Sequence, residues 1–332
     1  MCGILLSKNL TQKKLKLFLL TEKEIHDFYQ WIKTDIMKKV ILVTLLFVAI
    51  GMQAQEKPFS FICAGSGGNT VYIIDHNGEI EWEYPTGGEC NDVWMLRNGN
   101  IIFSFKNGCK EVTRDKEVVW TFNAPEKTEI QTVSPLRNGY LTAINGTPAK
   151  ILELDCDGEV VKSIEINTGV SKPHAQFRQV RKTPQGTYLF GLMGMKEVRE
   201  VNDKGDVLRK ISGTGFSVQQ LKNGNLLIGC ADDHKIKEIA PDNSVVWEIS
   251  GNELTGNPLR TVTELQRLSN GNTLVSNWGG HGGYSGKQPQ LFIVTPDKKV
   301  VWQYDNYDLV GNLSTVQHLD VKLRMKNGIY FK

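Results

Sequence analysis

The chain has 332 residues, 40% of them hydrophobic, with 32 Gly and 11 Pro, a composition that excludes a disordered or fibrous protein. Its formal net charge of +3 comes from the front end: residues 55–332 carry 31 basic against 32 acidic side chains. Such a balance lacks the basic footprint that phosphate backbones require, which argues against a nucleic-acid partner.

Taken from the N-terminus, the first readable feature begins at Met37-Lys38-Lys39. An apolar run follows, Val40 to Ile50, and then the small-residue stretch Gly51-Met52-Gln53-Ala54. A basic start, a short apolar core and a small-residue exit predict a secretory signal over 37–54, cleaved after Ala54. The run is shorter than the roughly 20 residues a membrane span needs. With no Cys directly after it, a lipid-anchored exit is not expected. Residues 1–36 read as a misplaced start ahead of Met37, the alternative being a leader extension whose Lys13–Leu20 stretch lies on a membrane surface. The mature chain is therefore expected to be exported, periplasmic or secreted to the cell envelope, with no transmembrane segment.

Residues 55–332 repeat one module at propeller spacing. The first mark is a strand that ends in an Asn-Gly-type turn with a second strand leaving it. Copies are centred on Asn98-Gly99, Asn138-Gly139, Gln185-Gly186, Asn223-Gly224 and Asn270-Gly271, with a ragged sixth at Asn327-Gly328. Asn-Gly between apolar runs predicts a two-residue hairpin turn with both residues at positive φ. The second mark is a hairpin closing on Val-Val-Trp: Val118-Val119-Trp120, Val245-Val246-Trp247 and Val300-Val301-Trp302, with Ile80-Glu81-Trp82 as the first copy. Degenerate copies at Val160-Val161 and Val207-Leu208 lack the Trp.

Each unit supplies four strands, a to d. A four-stranded sheet with two apolar faces cannot bury both alone, whereas radial stacking covers each face with a neighbour. The predicted fold is an all-β, six-bladed β-propeller, with seven blades as the alternative count. Phe59–Ala64 opens out of phase as a b strand. Its a strand must come from Thr315–Leu319, so strands from both ends close the ring. The recurrent Trp is expected to pack between blades. The five Cys of this region (63, 90, 109, 156 and 230) are odd in number and form no ligand cluster, so free buried thiols are expected, with one oxidised pair left open.

The unit D-x-x-G-x-V-V-W followed by L-x-N-G-N is similar to repeats of the PQQ-like (quinoprotein-type) and arylsulfotransferase-type propellers. That resemblance implies the architecture over about 58–330 and leaves activity open, since such propellers include enzymes and binding proteins. No match to quinone- or metal-binding residues is present, so no cofactor and no metal are expected.

Function is expected where loops are long, on the face carrying the d–a and b–c connections. His174, before a strand a, and His318, taken as its equivalent in the last copy, are catalytic candidates together with His281. His281 lies in the Gly-rich loop Asn277–Gly286, between the flat faces of Trp278 and Tyr284. Arg178, Arg260, Glu264, Asn91 and Asp92 are ligand-binding candidates, with Gln131, Thr132, Ser217 and Gln219 as further channel lining. The expected function is an exported binding propeller that takes a glycan, small molecule or protein partner on this face. The alternative is an enzyme of sulfotransferase or lyase type with a His/Arg site in the channel mouth.

Overall fold

The computed structural model describes residues 22–51, 57–256 and 258–332, which fall into two units, Met1–Ala54 and Gln55–Lys332. In the first, one helix, α1 (Glu22–Gly51), runs through the apolar stretch expected to be the signal core. No helix among the described residues is long and apolar enough to cross a membrane. The 13–20 stretch and the cleavage point after Ala54 lie outside the described residues.

The second unit is a six-bladed β-propeller of four-stranded antiparallel blades. Blade I opens with β1 (Phe61–Ser66), β2 (Thr70–Ile74) and β3 (Ile80–Pro85). Blade II holds β4 (Val93–Met95), β5 (Ile101–Phe105), β6 (Gly108–Val112) and β7 (Val118–Asn123). Blade III holds β8 (Glu129–Leu136), β9 (Gly139–Asn145), β10 (Ala149–Leu154) and β11 (Val160–Ile166). Blade IV holds β12 (Phe177–Lys182), β13 (Tyr188–Leu192), β14 (Glu197–Val201) and β15 (Val207–Ser212). Blade V holds β16 (Ser217–Gln220), β17 (Leu226–Gly229), β18 (Lys235–Ile239) and β19 (Val245–Ser250). Blade VI holds β20 (Thr261–Arg267), β21 (Thr273–Trp278), β22 (Leu291–Val294) and β23 (Val300–Tyr304). β24 (Asn312–His318) then returns to blade I and pairs with β1 from Phe61↔His318 to Ser66↔Asn312. The ring is closed by both ends of the unit, as the out-of-phase start predicts.

The burial pattern explains why these segments form these strands. Inner strands are covered on both sides by neighbouring blades, so β8 and β20 are buried almost throughout and read as continuous apolar or small-polar runs. Outer strands have one covered face: β7 begins exposed at Val118 and Val119 and turns in at Trp120. A bulge produces that turn. Val118 pairs with Val112 and Trp120 with Glu111, so Val119 has no partner across the strand. The same shift recurs at this place in all six blades. Val-Val-Trp is thus the sequence form of a bulge that aims the Trp at the next blade. Trp82 Nε1 donates to Arg114 O (2.8 Å), and Trp247 Nε1 donates to Pro296 O (2.8 Å), each in the following blade. Gly158 shows how tight the joint is: at φ +87°, a Cβ there would lie 2.0 Å from Trp120 Nε1.

Two expectations need correction. In four of the Asn-Gly-type turns, at Gly99, Gly186, Gly224 and Gly271, only the Gly has positive φ, as at Gly99 (+89°), with Gly99 N bonded to Leu96 O and Leu96 N to Asn100 O. These are type I turns closed by a glycine bulge rather than the two-residue turn, whereas in blade III Leu136 pairs directly with Gly139 around Arg137-Asn138. Asn327 (φ +52°) and Gly328 (φ +82°) do both have positive φ, but they lie outside the blade repeat. They join β25 (Arg324–Lys326) to β26 (Ile329–Phe331), a terminal hairpin attached to blade III through Ile329↔Leu136. The ragged sixth copy is this hairpin, and the sixth inner strand is β24.

All five cysteines of the unit are free thiols, with Cys156 exposed and the others buried. Burial pushes the Cys109 and Cys230 thiols up to about 12 and makes them poor nucleophiles at neutral pH.

Candidate functional site

Inner strands of different blades do not hydrogen-bond as a sheet, so their backbone groups need other partners. Side chains supply them. Thr315 Oγ1 accepts from Val93 N (3.3 Å), Asp92 Oδ2 from Val133 N (3.2 Å) and Thr132 Oγ1 from Val180 N (3.1 Å). Gln317 Oε1 accepts from Met95 N (3.0 Å) and Gln266 Oε1 from His318 N (2.9 Å). The polar channel lining expected from Thr132 and Asp92 is therefore a set of staples between blades.

Midway along the channel this lining becomes a plug of charge. Asp92, fully buried, is bridged by Arg181 through Nη1–Oδ2 (2.6 Å) and Nη2–Oδ1 (3.0 Å). It also accepts from Trp94 Nε1 (3.0 Å) and Thr132 Oγ1 (2.9 Å). Glu264 Oε2 accepts from Lys332 Nζ (2.9 Å), Gln179 Nε2 (2.7 Å) and Thr315 Oγ1 (2.8 Å). Burial lowers the Arg181 pKa, and the charges of Asp92 and Glu264 more than reverse that, leaving it raised. Two carboxylates and two cations balance, and both candidates, Asp92 and Glu264, are saturated by protein partners. Only a cavity of about 20 Å³, room for a single water, remains beside them.

The mouth on the long-loop side is arranged differently. Arg178, at the start of β12, is 7% exposed, yet its Nη1 is buried with no partner among the described residues. Its Nε points to Met193 Sδ (2.9 Å), and its guanidinium lies over the Phe216 ring (5.4 Å to the centroid). Burial holds its pKa below the ordinary value, opposed by the charges of Glu89, Glu129 and Asp232. These carboxylates belong to two hydrogen-bonded arcs. One runs from Glu89 to Asn91 (3.0 Å), on to Gln131, then to Glu129 (3.0 Å) and to His174 Nδ1 (2.9 Å). In the other, Asp232 meets His281 Nδ1 (3.0 Å), and His281 stands edge-on to Trp278 (4.6 Å). Burial raises the Glu129 pKa, but the bonds and charges of His174 and Lys106 outweigh it and lower it.

His174, Arg178, His281, Asn91 and Trp278 thus gather around one mouth. Arg260, just before β20, forms a cation–π pair there (4.1 Å) with Tyr284, which shares the Gly-rich loop with His281. His318 does not join them. It is the last residue of β24, stacked on Phe59 (3.9 Å between centroids) at the tight-turn end of the blade. Its sequence position suggests the start of an inner strand, but it ends one, so the three histidines do not converge. Glu89, Glu129 and Asp232 were not singled out from sequence. Their signal was Glu89 and Glu129, each two residues ahead of the matched positions Asn91 and Gln131 at the entries to β4 and β8, an equivalence that only the blade register reveals.

A protein of unknown function from Bacteroides caccae is 38% identical, covering 78% of this chain and 98% of that one, with a TM-score of 0.74. A streptogramin B lyase and a catalytically inactive histidine-to-alanine virginiamycin B lyase from Staphylococcus aureus with quinupristin are each 12% identical. Both alignments cover 76% of this chain and 85% of theirs at a TM-score of 0.53, a likeness of fold alone. No curated protein matches the chain. Residues 69–276 match the Mal s 1 allergenic protein-like family, and the chain belongs to that family.

Proposed function

We propose that the chain is an exported binding propeller that takes a small polyhydroxylated ligand, such as the end of a glycan, at the long-loop mouth of its channel. The observation that carries this is Arg178, a buried guanidinium with an unsatisfied N–H in a ring of carboxylates. An unmet buried donor costs about 1–3 kcal/mol, more when charged, so a site that keeps one gains by meeting it with a ligand. Glu89, Glu129 and Asp232 are offset by Arg178, Lys106 and Arg260, so the mouth carries no excess of positive charge, which disfavours an anion. Sugar hydroxyls accept from Arg178 and donate to carboxylates together. Tyr284 and Trp278 add flat faces at the rim. Export rests on the signal-like stretch 37–54.

A second reading is favoured by the histidine–carboxylate pairs. A carboxylate on Nδ1 orients the ring and leaves Nε2 to act as a base, the arrangement general-base catalysis uses. The lyase neighbour inactivated at a histidine supports a lyase-type reaction at His281 or His174. The repeat's likeness to arylsulfotransferase-type propellers supports sulfuryl transfer instead. Thermal-shift screening against neutral oligosaccharides and aryl sulfates separates them. The binding reading expects saturable stabilisation by an oligosaccharide that persists in His281→Ala and is lost in Arg178→Met. Turnover abolished by His281→Ala supports the enzyme. Stabilisation by none of the probes rejects the proposed ligand class.

A further inference from the structure

At the opposite, tight-turn mouth, a cleft of about 630 Å³ opens between the terminal hairpin and the turns of blades IV and V. Five of its lining residues are cationic, Arg97, Lys222, Lys322, Arg324 and Lys326, and none is acidic. None of the five has a carboxylate partner among the described residues. We propose that this cleft is a second binding site, for an anionic oligosaccharide bearing several sulfate or carboxylate groups.

The spacing of the charges supports a linear polyanion. In Lys322-Leu323-Arg324-Met325-Lys326 the three cations are exposed and Leu323 is buried, so the segment alternates. Every second residue of an extended chain lies about 7 Å from the last, which sets three positive charges in a row over roughly 13 Å. Arg97 and Lys222 extend the row from blades II and V. A compact anion such as inorganic sulfate would meet one or two of these groups; charges strung along a sugar chain meet all of them. The guanidiniums are held in place, with Arg97 over Tyr330 (5.4 Å) while donating to Leu323 O (2.9 Å), and Arg324 over Phe331 (5.5 Å). Burial lowers the Arg324 pKa. The hairpin itself is seated by Lys332, whose Nζ reaches Glu264 in the plug, so the platform is rigid. Apolar Pro184, Leu221 and Phe331 line the same cleft and suit the C–H faces of sugar rings.

Lysine on an edge strand also discourages edge-to-edge pairing, and β25 is the edge of its sheet. That role asks nothing of Arg97 or Lys222, which stand on other blades and face the same space.

Titration of the full chain with a heparin-derived tetrasaccharide at low salt tests the proposal. Saturable binding is expected, weakened at least about tenfold in Lys222→Glu/Lys322→Glu/Lys326→Glu and weakening steeply with ionic strength. A control with the same charge change on the rim, Lys116→Glu/Lys204→Glu/Lys210→Glu, should bind within about twofold of the parent. No saturable binding, or equal weakening in both variants, overturns the site. Equally tight binding of a poly-glutamate peptide overturns the choice of ligand.

Discussion

The two mouths of the channel are built by the same strands and end in opposite chemistry. Where inner strands begin, long loops bring Glu89, Glu129 and Asp232 around the guanidinium of Arg178, whose Nη1 has no partner among the described residues. Where they end, tight turns and the terminal hairpin collect five cations and no acid. Between them Asp92, Arg181, Glu264 and Lys332 fill the bore. The difference shows how a nearly neutral ring can carry two mouths of unlike charge, with a plug between them whose own charges cancel.

The largest expected effect comes from breaking that plug. Asp92→Ala leaves Arg181 buried beside a single carboxylate and should cost about 3–5 kcal/mol in urea unfolding. Replacing the bridged pair together, Asp92→Leu with Arg181→Met, should recover a large part of that loss. A single-variant loss under about 1 kcal/mol contradicts the separation of the mouths by a tightly paired core.

Next comes the ring that holds both mouths in register. Trp120, 8% exposed against Gly158, should cost about 3–5 kcal/mol as Ala. Trp247 is only partly buried, and its Ala variant should cost clearly less by the same unfolding measurement. Equal losses would mean that the blade joints do not differ as their packing implies.

Arg178→Met sharpens the contrast in the other direction. Removing an unpaired buried charge should leave the melting temperature unchanged or raised, while ligand binding at the long-loop mouth is lost. A clear loss of stability would assign Arg178 to the scaffold.

The smallest effect is acid sensitivity. The Glu129 pKa is lowered in the folded chain, so its contribution is present above the unfolded value of about 4.5 and disappears as pH falls through the folded value. His174→Ala should shrink the drop in melting temperature over that acidic range; an unchanged acid profile removes the coupling.

The blades were legible because their marks are local. An Asn-Gly turn and a bulge before a Trp each lie within a few residues, and alternation of the two gives the count. Closure by β24 was legible too, from the out-of-phase start at Phe59. The plug was not, because Asp92, Arg181, Glu264 and Lys332 are distant in sequence and meet only at the axis. Arg181 was the available clue, a charge inside a strand that is otherwise buried. His318 was misplaced because its neighbourhood imitates the start of an inner strand, and Asn327-Gly328 because a real two-residue hairpin imitates a blade turn. Arg178 and His281 were found from loop length, whereas the carboxylates that give their mouth its character needed the register of neighbouring blades.

A cross-titration tests the independence of the two mouths most directly. The parent chain, Arg178→Met and the triple hairpin variant are each titrated with a stabilising neutral oligosaccharide and with the heparin-derived tetrasaccharide. Arg178→Met should lose the neutral sugar and keep the sulfated one, and the hairpin variant should do the reverse. Loss of both ligands in either variant contradicts two separate sites.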